Sequence, residues 1–343
     1  MSLEERIAWI SAHRLGDTLF QTPAVRFLKQ QFPNVSIDVI TLNATSGAVY
    51  TDNPYVEKVL VNPTDKVLAG LRGYYQRVIC GICTAKNARY VSQLGAMTIA
   101  LGGMYLPGYQ RIKRPSDPLE ISGSGDSFSR HAAFLTVAAI RRAFLMGPVC
   151  DDFKYDLFPS DKDRQQVLAF LKRTGLDPEQ SRLVGLHIGC RHIAKSSLPF
   201  WFRKQPLKSL SPAKAIEICK AIHEAYPEVK ILLTGSKGEA GLVRKVVQQT
   251  RHTYSLVDQL SLAELAALMA YLSVYIAPDT GAIHVAYATE APVVGLFGPT
   301  DPLVSGPPPS QKNHIILKKS NRIDAIAPVD VLNAIQALGV SLG

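Results

Sequence analysis

The tetrapeptide Pro-Asp-Thr-Gly at 278–281, with His284 three residues further on, carries side chains suited to binding an anion. The apolar runs around it predict a strand over 271–277, a turn, a helix over 282–288 and a second strand over 293–297. Asp279 or Thr280 is expected to cap this helix, and the glycine lets a ligand approach the backbone. The N–H groups of the first helical turn predict a diphosphate site, to which His284 could donate a hydrogen bond. The alternative is an ordinary strand-to-helix turn with a surface histidine.

A second candidate is Asp17, with Arg14 beside it, in the loop that follows a predicted strand over 6–12. Open parallel sheets place their chemistry in loops at the carboxyl ends of strands. A carboxylate in such a loop could take the proton from an attacking hydroxyl. The alternative interpretation makes Asp17 a cap of the helix that runs to about residue 31.

Two more strand-end loops in the second half carry groups that suit a nucleotide. The loop after the predicted strand 183–188 holds a glycine and several cations, of which Lys195 is the best candidate for a phosphate contact. In the loop that opens at Gly235, Glu239 either holds ribose hydroxyls or is stabilised in a helix first turn by the dipole. The candidate donor-binding residues are Gly189, Arg191, Lys195, Gly235, Glu239, Asp279, Thr280, Gly281 and His284.

The order of predicted elements determines the fold class. Apolar strands alternate with helices in both halves, which predicts an α/β protein with parallel sheets covered on both faces. A length of 343 residues favours two domains. The N-terminal domain lacks the G-x-G-x-x-G fingerprint, because Gly16 is the only glycine in its first loop, so a dinucleotide site there is disfavoured. The predicted regions are an N-terminal Rossmann-like domain over 1–155, a C-terminal one over 156–322, and a last helical region over 323–343 that packs back toward the first domain.

The net charge of +10 and the isoelectric point near 9.3 indicate an anionic partner. No dense run of Lys and Arg is present, which disfavours nucleic acid and leaves a phosphorylated substrate or an acidic membrane surface. The uncharged stretch 90–110 is interrupted by glycine and proline, so we expect a buried helix, a turn and a short strand, with a membrane-facing patch as the alternative. The first half could form a positive cleft for a phosphorylated acceptor, the alternative being a solvated surface. Its candidate cations are Arg14, Arg72, Arg77, Lys86, Arg89, Arg141 and Arg142.

The five cysteines form no disulfide framework, and their odd number is typical of reduced thiols in a cytoplasmic protein. The pair Cys80 and Cys83 has the spacing of a redox or metal motif. Because no second pair accompanies it, structural thiols are the favoured interpretation and no metal site is predicted. The N-terminal residues show no signal-peptide pattern.

Several segments together resemble a known family. In chain order they are RLGDTLFQTPAVRFLK, DNPYVEKVLV, GLHIGCRHIAK, LLTGSKGE and APDTGAIHVAYATEAPVVGLFGPTDP. They are similar to the heptosyltransferases of glycosyltransferase family 9, over nearly the whole chain. The most specific matches are Gly16-Asp17 and Asp279-Thr280-Gly281 with His284. The sequence departs from the pattern at Cys190, where the family often has Ser or Thr, and in the longer, more basic segment 196–208.

The resemblance implies a GT-B architecture, in which two Rossmann-like domains face each other across a cleft. It implies inverting, metal-independent transfer of heptose from ADP-heptose to the lipopolysaccharide inner core at the cytoplasmic face of the inner membrane, with no cofactor. By resemblance, Asp17 is the general base and Glu239 contacts the nucleoside side. The diphosphate and sugar are held by Lys195, Asp279, Thr280, Gly281 and His284.

Two other functions fit the same sequence. A sugar-nucleotide epimerase of this architecture would use a related donor site, and would convert the donor without any acceptor. A non-catalytic nucleotide-sugar-binding protein would bind the donor and transfer nothing, so that Asp17 would be dispensable.

Overall fold

The computed structural model describes residues 5–81, 84–101, 110–111, 130–144, 146, 152–189 and 208–343. The chain divides into two compact units, Met1–Phe158 with Pro308–Ser310, and Pro159–Pro307 with Gln311–Gly343. We call them the N-terminal unit and the C-terminal unit. The division after Phe158 lies three residues beyond the domain boundary that we predict.

The N-terminal unit contains a parallel sheet whose described strands follow the order β3-β2-β1-β4-β5-β6. The central strand β1 is apolar and almost wholly buried, as expected for a strand covered on both faces. The described elements are β1 (Arg6–Ile10), α1 (Leu15–Leu19), α2 (Thr22–Gln31), β2 (Ser36–Thr41), α3 (Ala44–Ala48), β3 (Lys58–Val61), α4 (Asp65–Gly70), β4 (Arg77–Cys80), α5 (Ala85–Leu94), β5 (Met97–Ala100), β6 (Gln110–Arg111) and α6 (Ala132–Ala143).

The C-terminal unit repeats this topology, with its described strands in the order β12-β11-β10-β7-β8-β9. Its strands are also parallel and its sheet is buried between helices. The described elements are α7 (Asp161–Arg173), β7 (Leu183–His187), α8 (Pro212–Ala225), β8 (Lys230–Thr234), α9 (Ala240–Val247), β9 (Thr253–Ser255), α10 (Leu262–Leu268), β10 (Val274–Pro278), α11 (Gly281–Ala288), β11 (Val293–Leu296), α12 (Pro302–Ser305), β12 (His314–Leu317) and α13 (Pro328–Ala337). The predicted α/β class with two Rossmann-like parallel sheets is confirmed.

This strand order creates a switch point in each sheet. The second and third strands lie on one side of the first strand, and the fourth to sixth lie on the other. The connections after the first and fourth strands therefore diverge, which opens a crevice at the carboxyl edge. The crevice lies between β1 and β4 in the N-terminal sheet, and between β7 and β10 in the C-terminal sheet.

Residues 152–158 are tied to the N-terminal unit by a buried arginine. Arg26 of α2 forms an ion pair with Asp156 and donates to the backbone carbonyls of Asp152 and Lys154 at 3.0 Å each. Both side chains of the pair are more than nine-tenths buried, so the loss of one partner would leave an uncompensated charge.

The last helix packs within the C-terminal unit. Val331 and Ile335 of α13 lie in the same buried cluster as Ile231 and Ile276 of the sheet, and the helix contacts α8, β11 and β12. This apolar face is thus covered by elements of its own unit. That the region 323–343 reaches the first domain stays a prediction.

The uncharged stretch 90–110 begins as expected, with the end of α5, Gly95 at φ 64° and the strand β5. Among the described residues, no helix combines the length and hydropathy that crossing a bilayer requires. Cys80 and Cys219 are buried and form no disulfide among the described residues, while Cys83 lies outside them.

Candidate functional site

The corner between β10 and α11 holds the predicted anion-binding residues. Strand β10 ends at Pro278 and α11 begins at Gly281, with Thr280 in the N-cap position. The Thr280 side chain makes no capping hydrogen bond, so our expectation that Asp279 or Thr280 caps this helix is wrong. The Thr280 hydroxyl is buried and has no hydrogen-bond partner within the part of the chain that the structure describes. The helix start therefore presents backbone N–H groups that no side chain caps.

Asp279 does not cap the helix because its carboxylate binds other groups. Its Oδ2 atom accepts hydrogen bonds from Nζ of Lys208 and Oγ of Ser305, each at 3.1 Å. Its Oδ1 atom lies 3.4 Å from Nε2 of His284, which is on the first turn of α11. Burial alone would raise the pKa of Asp279, but the hydrogen bond from His284 and the charges of His284 and Lys208 hold the pKa well below its usual range. Asp279 is thus a carboxylate that fixes the position of His284.

The other side of the same switch point holds Glu239 and Gly189. One Glu239 oxygen, Oε2, accepts from the backbone N–H and the hydroxyl of Ser236 at 2.7 and 2.9 Å. The other, Oε1, lies 3.8 Å from Nε2 of His187 and packs against Gly189, where a Cβ atom would be only 1.9 Å away. Gly235 closes the same corner, since its Cβ would lie 3.2 Å from Oε2 of Glu239. Of the two roles predicted for Glu239, stabilisation of a helix first turn is observed. Because Ser236 binds Oε2, only Oε1 of Glu239 remains to contact a ribose.

A buried polar network supports this edge from beneath. Nδ1 of His187 lies 3.1 Å from the carbonyl oxygen of Thr234 and 3.2 Å from its hydroxyl, which in turn lies 2.7 Å from the Tyr275 hydroxyl. Burial lowers the pKa of His187, although the neighbouring Glu239 carboxylate opposes this shift. The network joins the carboxyl ends of β7 and β8 to Tyr275 near the start of β10, so it fixes three neighbouring strands relative to one another.

Asp17 lies at the matching place in the N-terminal sheet. It is the third residue of α1, which follows the central strand β1, and its side chain is partly exposed. The N-cap position belongs to Arg14, so the alternative that makes Asp17 the cap is wrong. Within the described ranges, no hydrogen bond or ion pair occupies the Asp17 carboxylate. It is therefore available to accept a proton.

The loop that carries Asp17 is braced by buried side chains. The Thr18 hydroxyl donates to the carbonyl of Ala12 at 3.1 Å, and the Gln21 carboxamide oxygen accepts from Nε1 of Trp9 at 3.0 Å and from the N–H of Ala12 at 3.4 Å. A Cβ atom at Gly81 would lie 2.3 Å from that same oxygen. Trp9 and Gln21 thus fix the end of β1. Sequence reasoning did not identify Gln21, because one of its partners, Trp9, is 12 residues away and the other is the backbone N–H of Ala12.

Among the predicted acceptor-binding cations whose side chains the structure describes, Arg72 lies apart from Asp17. Arg14 is exposed beside Asp17, as expected. Arg89 is ion-paired with Asp65 of α4. Arg72 lies beside Gly95 at the end of α5, in the segment that leads into the amino end of β4, and so at the opposite edge of the sheet from Asp17. We therefore remove Arg72 from the acceptor set.

Some predicted residues fall outside the described part of the chain, namely Arg191, Lys195 and the side chain of Lys86. Two residues that we did not predict lie in the site, Lys208 and Ser305. Lys208 belongs to the basic segment that departs from the family pattern, and this basic character was the one sequence signal that could have pointed to it. Ser305 gave no signal, because its partner Asp279 is 26 residues away. Within the described ranges, no group of three or more His, Cys, Asp or Glu side chains could hold a metal ion.

Comparisons with known proteins show which family the chain resembles. Residues 216–327 match the model of glycosyltransferase family 9 (heptosyltransferase), a range that includes Glu239 and Asp279 to His284. Lipopolysaccharide heptosyltransferase 3 of Escherichia coli is 26% identical over 298 residues, which cover 83% of this chain and 81% of that protein. The chain is thus similar to heptosyltransferases of family 9.

Solved structures show that the chain has the GT-B fold. A family 9 glycosyltransferase from Veillonella parvula superposes with a TM-score of 0.79 at 19% identity, covering 98% of each chain. The E. coli ADP-heptose lipopolysaccharide heptosyltransferase II superposes with a TM-score of 0.73 at 18% identity, covering 97% of this chain and 98% of the other.

We expect Gly189→Ala to destabilise the protein. The new methyl group would force Glu239 out of its bonds to Ser236, at a cost of about 1 to 3 kcal/mol for overpacking. Chemical denaturation followed by circular dichroism would measure the loss. Gly241→Ala is the matched control, because a Cβ there meets nothing within 4 Å and Gly241 lies on the neighbouring helix α9. A Gly189→Ala protein as stable as the control would contradict the close packing at Glu239.

Proposed function

We propose that this chain transfers a heptose from ADP-heptose to a hydroxyl of the lipopolysaccharide inner core. The names of the E. coli relative and of the E. coli structural neighbour support this donor and acceptor. The observation that carries the proposal is the pairing of two features in equivalent places. A helix start without a side-chain cap stands beside the buried pair Asp279 and His284 at the switch point of one sheet, and the carboxylate of Asp17 stands at the switch point of the other.

The donor is proposed to bind at the carboxyl edge of the C-terminal sheet. The N–H groups at Gly281 and the following residues take the diphosphate, with the dipole of α11 favouring its charge. His284 and the Thr280 hydroxyl add hydrogen bonds from the same corner. Oε1 of Glu239 contacts the nucleoside side, between Gly189 and Gly235. Lys195 and Arg191 are proposed to add positive charge at the diphosphate.

The proposed reaction is a single displacement. The acceptor hydroxyl attacks the anomeric carbon of the heptose, its proton passes to Asp17, and the bond from that carbon to the diphosphate oxygen breaks to release ADP. Attack on the face opposite the leaving group inverts the anomeric centre, as base-activated water does in inverting hydrolases. The growing charge on the diphosphate is stabilised by helix N–H groups and nearby cations, so the proposed reaction uses neither a metal ion nor a cofactor.

The proposed place of action is the cytoplasmic face of the inner membrane, as a peripheral protein. The lipopolysaccharide core is anionic, and a chain with a net charge of +10 is attracted to it and to acidic lipid headgroups. Arg14, Lys86 and Arg89 are proposed to contact the acceptor, with Arg14 nearest in sequence to the base.

Product analysis tests this function. The purified chain is incubated with ADP-heptose and truncated lipopolysaccharide acceptors, with and without a metal chelator, and the products are examined by mass spectrometry and NMR. We expect the acceptor to gain one heptosyl residue in inverted configuration, and chelation to leave the rate unchanged. Epimerisation of the donor without acceptor would identify an epimerase, and binding of the donor without transfer would identify a non-catalytic protein.

A further inference from the structure

Three elements converge on the carboxylate of Asp279. Lys208 comes from the segment before α8, Ser305 from α12, and His284 from α11. Lys208 and Ser305 both bind Oδ2, so Oδ1 is left to face Nε2 of His284. Oδ2 thus holds the carboxylate in place, and Oδ1 faces the imidazole ring of His284. This is the arrangement by which a carboxylate orients an imidazole ring.

Burial makes the cation at Asp279 energetically important. The side chains of Asp279 and His284 are each 4% exposed, and a carboxylate in such a place costs much free energy unless positive charge compensates it. Lys208 supplies that charge, yet its own side chain is 38% exposed. Since an ammonium group has three donors, Lys208 can hold Asp279 and still present positive charge toward solvent.

We propose that Lys208 is a positioning residue of the donor site, holding Asp279 so that His284 faces the nucleoside diphosphate at the start of α11. This inference rests on the proposed function. It assigns a role to the segment in which the sequence departs from its family. Lys208 acts through Asp279 and His284, and its positive charge lies at the same corner as the incoming diphosphate.

The test compares Lys208→Met with Lys214→Met in the full chain. Methionine retains most of the length of the side chain and removes the charge. Lys214 is the matched control, because it lies near the start of α8 and forms an ion pair with Glu217 at 2.5 Å that does not involve the site. ADP binding is measured by calorimetry, folding by thermal denaturation, and transfer by the product assay. Lys208→Arg tests rescue by a second cation, and Ser305→Ala removes the other group on Oδ2.

We expect the dissociation constant of ADP to rise about 10- to 100-fold in Lys208→Met, the range for losing a hydrogen bond to a charged group. Lys214→Met should bind as the parent does, Lys208→Arg should recover most of the affinity, and Ser305→Ala should weaken binding in the same direction.

The pH dependence gives a second reading. The titratable groups around Asp279 are Lys208, His284 and Tyr287. Loss of the Lys208 charge raises the pKa of Asp279, so ADP binding in Lys208→Met should fail at a higher pH than in the parent as the solution is acidified.

The outcomes separate the two proposals. If the parent transfers heptose and Lys208→Met binds ADP as Lys214→Met does, with the same pH profile, the role of Lys208 is overturned while the proposed function stands. A loss of thermal stability in Lys208→Met with unchanged ADP affinity also overturns it, because the ion pair would then serve only the fold. If the parent binds no ADP and transfers nothing, the proposed function and this inference fail together.

Discussion

Replacement of Asp17 by Asn is expected to reduce heptosyl transfer by about 10²- to 10⁴-fold, the contribution of a positioned general base. The amide keeps the shape of the carboxylate but cannot take the proton of the acceptor hydroxyl. Because the described residues form no hydrogen bond or ion pair with the Asp17 carboxylate, and Asp17 lies in the first turn of α1, the change should leave the fold intact. The loss should appear in kcat, measured as product formed at saturating donor and acceptor, with ADP affinity retained.

Asp161→Asn is the matched control for Asp17→Asn. Asp161 also lies in the first turn of a helix, α7, outside the proposed donor and acceptor sites, so both changes remove a similar favourable charge from a helix start, worth about 0.3 to 1 kcal/mol. The two variants should therefore lose similar stability, while only Asp17→Asn loses transfer. Transfer at the parental rate in Asp17→Asn would remove this carboxylate from the mechanism.

The unit that carries the anion site was predictable from sequence to within two or three residues. The strand expected to end at 277 ends at Pro278, and the helix expected over 282–288 spans Gly281–Ala288. Local information determines such limits, because apolar runs and turn residues lie next to one another in the chain. The same local reasoning failed for the cap. Asp279 has a side chain suited to capping, but Lys208 and Ser305 bind one of its oxygens and His284 faces the other.

What could not be predicted is the pairing of residues that the fold brings together. In the sequence, Gly189 looks like a phosphate-loop glycine. In the structure, packing requires a glycine there, because Glu239 of the next strand-end loop lies against its α-carbon. Arg72 and Arg89 look alike in sequence, but the connection into β4 places Arg72 at the far edge of the sheet. Such placements depend on the strand order, which no single segment encodes.

Asp279→Asn should cause the largest loss of donor binding in the C-terminal unit. The asparagine side chain has one oxygen, which can accept a hydrogen bond, and one NH₂ group, which can only donate. This NH₂ group would face either Lys208 or His284, and both of these side chains are themselves donors. Breaking a buried charge pair of this kind costs about 3 to 5 kcal/mol. Lys208 can rotate toward solvent, so part of this cost is avoided, and we expect ADP affinity to fall about 100-fold or more, measured by calorimetry. Asp301→Asn is the control. Asp301 is a nearby carboxylate that caps α12 by accepting a hydrogen bond from the backbone N–H of Leu303.

The pH dependence of stability distinguishes this carboxylate from an ordinary one. Because the folded-state pKa of Asp279 lies well below its unfolded value of about 3.9, its ionised form stabilises the fold at every pH above about 4. The stabilisation is lost only as the pH falls below that value, through the folded-state pKa. The difference in melting temperature between the parent and Asp279→Asn should thus persist from about pH 8 to about pH 5 and shrink only in stronger acid. A difference that disappears between about pH 7 and about pH 5 would show that Asp279 titrates there, and that His284 and Lys208 do not hold its charge as the structure indicates.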